Sequence, residues 1–386
     1  MSEGRHPSTA RASLPDDDDL LGEIFLRLPP LPSSLPRASL VCKRWRRLLC
    51  DPAFLRTFRA RHHKPPMLGF FAARARSPLF IPTLSPPDRI PPARFSLPQR
   101  LSNSWKFLGC RHGFVACLDL NRMEALVWKP VTGSHHHIPF PPEFHQNKCN
   151  YNGAVLSSAA SDSHVCHSSA FKLVLAHIGS DYKSVSVCLY ESESGKWGKI
   201  GSTSLTCVSL FYRPAVMVGN AVYWFLHFSN SILQFDLDGQ SLAIMKTPED
   251  THVTGYSHIH AVPHDNKLGL AILSKLSIQF WESEADLDGV NRWVLRQTVK
   301  LHNLLSLSMD IRATWQTVIS GFDEDNNSIF LSLPPIGVIM IQLETMQCLK
   351  LLEGRYMDIC YPSTSLYTAG LGIDGGDDKA EMLNST

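Results

Sequence analysis

The sequence predicts an α+β multidomain protein, with a small N-terminal module of three helices followed by a large all-β, propeller-like domain. Three observations support this assignment. Apolar residues recur at helical spacing between residues 14 and 62. A proline-rich stretch over 77–98 cannot continue a helix. Short β-type runs separated by turn residues then fill residues 105–355, and a chain of 386 residues has room for two domains.

Composition narrows the class of protein. Hydrophobic residues make up 44% and charged residues 19%, which excludes a mostly disordered chain. The net charge of +2 gives no reason to expect nucleic acid or a membrane as partner. Neither a signal peptide nor an apolar run long enough for a membrane helix is visible, and the ten cysteines form no C-x-x-C pair. We therefore expect a protein of the cytoplasm, the nucleus or both. The expected segments are a disordered N-terminus (1–13), the helical module (14–62), the propeller-like domain (66–368) and a flexible tail (369–386).

Three helices can be placed in the helical module. The first is expected from about Asp17 to Leu28, because aspartates favour a helix start and prolines follow Leu28. The second is expected after Ser33 or Ser34, either of which can cap it. The third begins at Asp51, a cap residue followed by proline. The apolar stripes of the three helices are Leu20, Leu21, Ile24, Phe25 and Leu28; Leu40, Val41, Trp45, Leu48 and Leu49; and Phe54, Leu55 and Phe58.

Such a small module cannot easily bury all of these side chains within itself. The surplus apolar face predicts docking on a partner protein, and packing on the following β domain is the alternative that spacing alone leaves open.

The residues of the module resemble the F-box. The resemblance lies in Leu14-Pro15, in the stretch E-I-F-L-R-L-P of residues 23–29 and in V-C-K-R-W-R-R-L of residues 41–48, in the expected order and spacing. It covers residues 14 to about 58. The sequence departs from the pattern in an extra aspartate within Asp16–Asp19 and in a proline-rich turn at Pro29–Pro36, neither of which alters the apolar stripes.

This resemblance implies a non-catalytic subunit of an SCF-type cullin ubiquitin ligase. F-box modules bind a Skp-family adaptor and through it the cullin, so the β domain would hold a target protein for ubiquitination. Trp45 and Leu48 would belong to the module's own core. Carried over by position, the residues expected to contact the adaptor are Leu14, Pro15, Leu20, Leu21, Ile24, Leu28, Leu40 and Val41.

Basic residues are concentrated between Arg37 and Lys64, where nine Lys or Arg accompany a single acid, Asp51. A nucleic-acid patch or nuclear signal around Lys43–Arg47 is one interpretation. The other is a solvated helix face beside an acidic partner. We favour the second and predict no nucleic-acid partner, because Trp45 and Leu48 interrupt the basic run at helical spacing.

The β domain contains five segments with a common layout, an apolar inner strand followed by two more strands and polar turns. The inner strands are expected near residues 114, 171, 221, 268 and 329, at intervals of about 57, 50, 47 and 61 residues. Propeller blades repeat at roughly 40–50 residues, with insertions in loops. Residues 67–71 and 356–362 could help to close the ring, so six or seven blades fit. The layout resembles kelch-type blades and the F-box-associated β domains of the large plant F-box families; a β-sandwich is the alternative.

No constellation of residues predicts catalysis, a cofactor or a metal. His135–His137 could suggest a metal site, but we interpret it as a polar turn, since the nearest candidate ligands are Glu143 and His145 on a proline-broken loop. Acids such as Asp236 and Asp323 are typical of turns. A binding module without the ligase, lectin-like or a scaffold, is the alternative function, motivated by Trp197, Trp224 and Trp281. The sequence does not identify the target. We predict that the connections at 141–166, 201–213, 246–266 and 282–292 form the face that binds it, because function is concentrated in loops.

Overall fold

The fold is described from a computed structural model of the chain. It describes residues 17–62, 64–72, 78–96, 105–145, 150–158, 170–205, 210–211, 213–227, 229–248, 258–262, 267–274, 277–285, 291–305, 317–334 and 336–366. These residues form two compact units. The first contains residues 17–62 together with Leu366, and the second contains residues 64–365.

The first unit contains four helices within residues 17–62, so the prediction of three helices was wrong. They are α1 (Asp18–Phe25), α2 (Ser34–Ser39), α3 (Lys43–Cys50) and α4 (Pro52–Arg61). The predicted second helix is divided because the amides of Leu40 and Val41 bond carbonyls only three residues back and Cys42 is extended. The first helix ends at Phe25 rather than Leu28, because the amides of Arg27 and Leu28 bond carbonyls only three residues back and Pro29 has no amide hydrogen to continue the helix. Asp51 caps α4 as predicted, by accepting a hydrogen bond from the Phe54 amide at 2.9 Å.

The core of the helical module is aromatic. Phe25 meets the ring of Trp45 edge-on at a centroid distance of 4.8 Å and that of Phe54 at 6.4 Å. The fully or nearly buried residues around them are Leu21, Phe25, Leu26, Leu35, Leu49 and Phe58. Leu366, which follows the last strand of the described residues, also packs on this core. Trp45 and Leu48 are half-buried against it, in agreement with their predicted role in the module's own packing.

The second unit consists of six sheets among the described residues, which makes it a six-bladed propeller. The first two strands are β1 (Met67–Ala72) and β2 (Leu79–Pro82). Blade 1 contains β3 (Trp105–Arg111), β4 (Phe114–Asp119), β5 (Glu124–Trp128) and β6 (His135–Pro139). Blade 2 contains β7 (Asn150–Ser157), β8 (Phe171–Ile178), β9 (Ser184–Glu191), β10 (Lys196–Trp197) and β11 (Gly201–Ser204).

The remaining blades follow in chain order. Blade 3 contains β12 (Leu210–Phe211), β13 (Val216–Val218), β14 (Ala221–His227), β15 (Ser231–Asp236) and β16 (Ser241–Lys246). Blade 4 contains β17 (His258–Val262), β18 (Lys267–Ser274), β19 (Ser277–Ala285) and β20 (Asn291–Lys300), followed by the short helix α5 (Leu301–Leu305). Blade 5 contains β21 (Val318–Asp323), β22 (Ser328–Leu333), β23 (Gly337–Gln342) and β24 (Cys348–Glu353). The last strand is β25 (Cys360–Thr364).

The sixth blade joins the two ends of the second unit. Strand β25 pairs antiparallel with β1, with Phe71 opposite Tyr361, and β1 pairs with β2. The prediction that residues 67–71 and 356–362 help to close the ring is therefore confirmed. The proline-rich segment covers this blade, since Phe95 stacks on Phe80 at a centroid distance of 3.9 Å.

The ring is formed by the first strand of each blade, since β3, β7, β12 and β13, β17, β21 and β25 contact one another in that order and β25 contacts β3. The strands predicted to be innermost, near 114, 171, 221, 268 and 329, are the second strands, so this part of the prediction was wrong. They are the most apolar strands because they have a partner strand on each side and a neighbouring blade on each face. Strands β4 and β22, for example, are buried along their whole length.

The propeller's core lies between the blades. Each apolar cluster includes residues of two neighbouring blades, as expected for twisted sheets that bury both faces. Examples are Val127 with Leu173, Leu189 with Trp224, Phe225 with Leu270, Ile278 with Ile329, and Phe70 with Phe330. Blades 6 and 1 meet through Phe71 and Phe107, whose ring centroids lie 5.1 Å apart.

The antiparallel pairing gives the propeller two distinct faces. We define the entry face as the side where each innermost strand begins; it carries the links between blades and the turns between second and third strands. The exit face is the opposite side, with the turns that follow the first and third strands. Both ends of the second unit lie at the exit face, where the Ser365 amide bonds the Pro66 carbonyl. Within the described residues, no helix is long and apolar enough to cross a membrane.

Candidate functional site

The helical module exposes large apolar side chains on α1 and at the break between α2 and α3. Leu20 and Ile24 are 49% and 43% exposed, one turn apart on α1. Leu40 and Val41 are 74% and 56% exposed in the break between α2 and α3. These four residues, called the apolar face below, were all predicted as partner contacts from the sequence. Exposed apolar side chains concentrated on so small a module indicate a protein-docking surface.

The other predicted contact residues lie elsewhere. Leu21 is 1% exposed and belongs to the core of the module, because it is 100° around α1 from Leu20. Leu28 is half-buried against the same core. Leu14 and Pro15 fall outside the described residues.

An ion-pair network joins two helices of the module, α1 and α3. The guanidinium of Arg44 donates to Asp18 at 2.7 Å, and that of Arg47 lies 3.4 Å from the second carboxylate oxygen of Asp18. Because Asp18 begins α1 and the two arginines lie on α3, the network joins these helices. Two members of the basic cluster thus have an acidic partner within the module itself.

A second candidate site lies at the exit-face mouth of the propeller channel. The Arg111 guanidinium, at the end of β3, donates two hydrogen bonds to the Glu324 carboxylate, at 2.7 and 2.5 Å. Arg111 also donates to the Ala215 carbonyl at 3.2 Å, and Glu324 accepts from the Met217 amide at 3.0 Å. The pair, called the channel clamp below, therefore connects blades 1, 3 and 5 across the channel. Although burial alone would lower the pKa of Arg111, the facing Glu324 carboxylate raises it, so the guanidinium stays charged.

Acidic side chains of the β21–β22 turn surround the clamp. Burial raises the pKa of Asp323 to about 7, against the opposing effect of hydrogen bonds from Asn326. The Thr364 hydroxyl donates to the Asp325 carboxylate, which ties blade 5 to the closing strand. The cavity beside these residues has a volume of about 60 Å³, enough for a few water molecules only. The mouth is therefore largely closed by its own side chains.

The predicted target face does not exist as one surface. Strands β6, β11 and β16 end on the entry face, whereas β7, β17 and β19 end on the exit face. The predicted connections 141–166 and 246–266 each contain a whole innermost strand, β7 or β17, and therefore reach both faces. Residues 146–149, 159–166, 206–209, 249–257, 263–266 and 286–290 of the predicted connections lie outside the described residues. The prediction of a single face was wrong because strand direction alternates within every blade.

Other sequence-based interpretations are also changed by the structure. His135–His137 begin strand β6 rather than forming a turn, and the Nδ1 atom of His137 lies 3.2 Å from Glu124. Among the described residues, no group of three His, Cys, Asp or Glu side chains could hold a metal ion. Trp224 is fully buried and Trp197 and Trp281 are half-buried between blades. Tryptophans freely exposed to sugars, the motivation for a lectin-like function, are therefore not found at these positions.

Sequence reasoning missed the channel clamp. Arg111 and Glu324 are 213 positions apart, and only the ring topology brings them together. A partial signal exists, since both residues lie at the end of the first strand of a blade and precede the apolar second strand. An alignment of the blades on their true first strands would have placed Arg111 and Glu324 at equivalent positions, where the first strand ends.

Taken together, four short helices with an exposed apolar face followed by a six-bladed ring define a docking module joined to a propeller. The F-box domain model matches residues 12–57. The model described as F-box protein AT5G49610-like, beta-propeller, matches residues 106–361, about two thirds of the chain. The chain therefore belongs to the AT5G49610-like F-box β-propeller family. F-box domains bind Skp-family adaptors in SCF complexes, and both families are typically non-catalytic adaptors.

Comparison with curated proteins gives no match. Among solved structures, the chain is similar to a Bacteroides thetaiotaomicron structural genomics protein of unknown function, with 9% identity, a TM-score of 0.41, and coverage of 69% of this chain and 65% of that one. The Dos1 propeller is 10% identical, with a TM-score of 0.37 and coverage of 76% of this chain and 68% of that one. The dihydro-heme d1 dehydrogenase NirN is 10% identical, with a TM-score of 0.35 and coverage of 64% of this chain and 46% of that one. The chain thus spans less than two thirds of the NirN and Bacteroides chains, and TM-scores this low carry no functional information.

Proposed function

We propose that this chain is the substrate receptor of an SCF-type cullin ubiquitin ligase, in which the apolar face binds a Skp-family adaptor and the propeller binds a target protein. The proposal extends to the finer assignments made from the sequence: a plant-type family, kelch-like blades, residence in the cytoplasm or nucleus, and domains at 14–62 and 66–368. The single observation that carries it is the apolar face, which lies within the F-box match. The chemistry of ubiquitin transfer would belong to other subunits.

The energy available at the apolar face supports a docking role. Fully burying a Leu, Ile or Val side chain contributes roughly 1.5–3 kcal/mol. Scaled by their exposed fractions, Leu20, Ile24, Leu40 and Val41 together offer about 3–7 kcal/mol. Association costs about 4–15 kcal/mol, so the face would supply a large part of the binding energy, with Leu14, Pro15 and Leu28 as further proposed contacts. Leu21 would support the face from within the core.

The test is co-purification of the full chain with a Skp-family adaptor and cullin. The double variant Leu20→Asp/Ile24→Asp should lose at least a hundredfold in adaptor affinity, because it removes two apolar contacts and places two carboxylates in the interface. Leu349→Asp is the matched control, since Leu349 is 52% exposed on the outer strand β24. Capture equal to wild type by the double variant would refute the proposed docking face. Failure of the wild-type chain to capture any adaptor would refute the ligase assignment.

A further inference from the structure

Residues with a left-handed backbone conformation can indicate function, because residues other than Gly, Asn and Asp adopt this conformation only at an energetic cost. Seven described non-glycine residues have positive φ: His112, Met123, Tyr182, Asn230, Gln240, Asn327 and Met346. The two asparagines are of the favoured type. Met123 and Met346 pack their side chains against apolar clusters between blades. Their burial offsets the backbone cost.

The other members of this set also have contacts that account for them, with one exception. The His112 ring accepts a hydrogen bond from the Ser157 amide, and the Gln240 side chain lies against Gly198, where an added Cβ would come within 2.7 Å of it. Tyr182 differs. Its φ is 56°, its side chain is 37% exposed, and no hydrogen bond or ring contact joins that side chain to a described residue. Packing within the fold does not explain why a tyrosine stands where asparagine or glycine would fit better.

The turn that carries Tyr182 is rigid. Atom Oδ1 of Asp181 accepts hydrogen bonds from the amides of Lys183 and Ser184 at 3.0 and 3.1 Å and from the Ser184 hydroxyl at 2.9 Å. The Tyr182 amide bonds the Gly179 carbonyl at 2.9 Å. The two ends of the turn are thus fixed to each other on both sides of the exposed ring. A backbone held in this way loses little entropy when the turn binds a partner.

The Asp181 carboxylate adds a fixed negative charge on the residue that precedes Tyr182. All three of its hydrogen bonds use Oδ1, so that Oδ2 bonds no donor of the described part of the chain. Hydrogen bonds from the Lys183 amide and the Ser184 hydroxyl lower the pKa of Asp181, and the carboxylate is ionised at neutral pH. Its second oxygen remains available to a cation from solution.

The location of the turn also suits recognition of a partner. It joins β8 and β9 and therefore lies on the entry face, opposite the exit face where the second unit begins and ends. The neighbouring link of residues 140–145 is fixed as well, because the Phe144 ring packs on His177 at a centroid distance of 4.2 Å. This part of the entry face is therefore a preformed surface.

We infer that Tyr182 and Asp181 form a recognition element for a positively charged side chain, an arginine or lysine of the target protein. The cation would stack on the tyrosine ring and pair with Oδ2 of the neighbouring carboxylate. The inference rests on the proposed function, because it names the chemistry of the target that the receptor would hold. An aromatic ring on a rigid turn is the kind of anchor that dominates protein interfaces.

The test measures binding of a fluorescein-labelled peptide of alternating arginine and glycine to the full chain at low salt, by fluorescence anisotropy. The same peptide with citrulline in place of arginine is the matched uncharged probe. We expect about tenfold weaker binding of the citrulline peptide, a loss of about three- to fivefold in Tyr182→Asn and in Asp181→Asn, and no loss in Tyr182→Phe. Tyr356→Asn, which removes another exposed tyrosine, is the control expected to bind as wild type.

A second measurement separates recognition from folding. Asparagine is better suited to the left-handed backbone, so Tyr182→Asn should raise Tm by about 1–2 °C while it weakens binding. Equal binding of the arginine and citrulline peptides, or wild-type affinity in Tyr182→Asn, would overturn the inference. Adaptor capture reports on the proposed function separately: a wild-type chain that captures the adaptor but binds the arginine and citrulline peptides equally refutes only the recognition element.

Discussion

Removing one partner of the channel clamp should destabilise the propeller more than the size of the side chain suggests. Arg111 and Glu324 have side chains only 15% and 24% exposed, so neither charge is well hydrated without the other. Breaking a fully buried pair costs about 3–5 kcal/mol. Because both side chains keep some exposure, we expect a smaller loss in the free energy of unfolding, about 2–3 kcal/mol, for Glu324→Gln. This substitution keeps the acceptor for the Met217 amide. At about 2 °C per kcal/mol for a domain of this size, Tm should fall by roughly 4–6 °C.

A double-mutant cycle isolates the pair itself. Arg111→Met should cost a similar amount, because it leaves Glu324 as an unpaired, partly buried carboxylate. In the double variant Arg111→Met/Glu324→Gln no charge is left unpaired, so its loss should be about 1.5–3 kcal/mol smaller than the sum of the single losses. Urea denaturation of the full chain, followed by circular dichroism, measures all four proteins. A coupling energy below about 0.5 kcal/mol would show that the clamp contributes no more than two separate surface charges.

Two further predictions concern the same region of the propeller. Gly321→Ala should destabilise the protein by at least about 1–3 kcal/mol, because the added Cβ would lie 2.2 Å from the Cys360 carbonyl oxygen of the closing strand. The same substitution at Gly22, where nothing lies within 4 Å, should instead stabilise α1 by about 0.5–1 kcal/mol; equal effects on the two melting curves would contradict this account. Asp323, with its folded pKa raised to about 7, binds a proton between pH 4 and pH 7 that the unfolded chain does not. The free energy of unfolding should therefore fall as pH rises through this window, and Asp323→Asn should flatten that slope in urea titrations at several pH values.

The sequence was most informative for helix caps, helix ends and short motifs, which a few neighbouring residues determine. The cap at Asp51 and the helix ends before Pro29 depend on a few adjacent groups, and the F-box stretches have fixed spacing. Exposure within α1 was less predictable. Leu20 and Leu21 are both leucines on one apolar stripe, but only the packing of Phe25 and Trp45 determines which of them faces inward.

The propeller was predictable as a class but not in its arrangement. Apolar runs identified the second strand of each blade, because that strand is the one covered on both sides. The first strand contains fewer apolar residues, and it contains glycines where another part of the backbone comes close. A Cβ added at Gly153, for example, would lie 2.4 Å from the Val174 carbonyl oxygen. The innermost position and the two faces follow from strand direction around the ring, which depends on pairing between residues far apart in the chain.

The closing blade has a consequence for how the protein is made. Strand β1 emerges from the ribosome early, whereas its partner β25 is among the last described segments to be synthesised. The ring cannot close during most of translation, and a premature stop anywhere before residue 360 leaves β1 without that partner and the channel open on one side. The helical module precedes the propeller in the chain, so the apolar face is synthesised before the ring is complete. The propeller can therefore close only in chains that extend through β25.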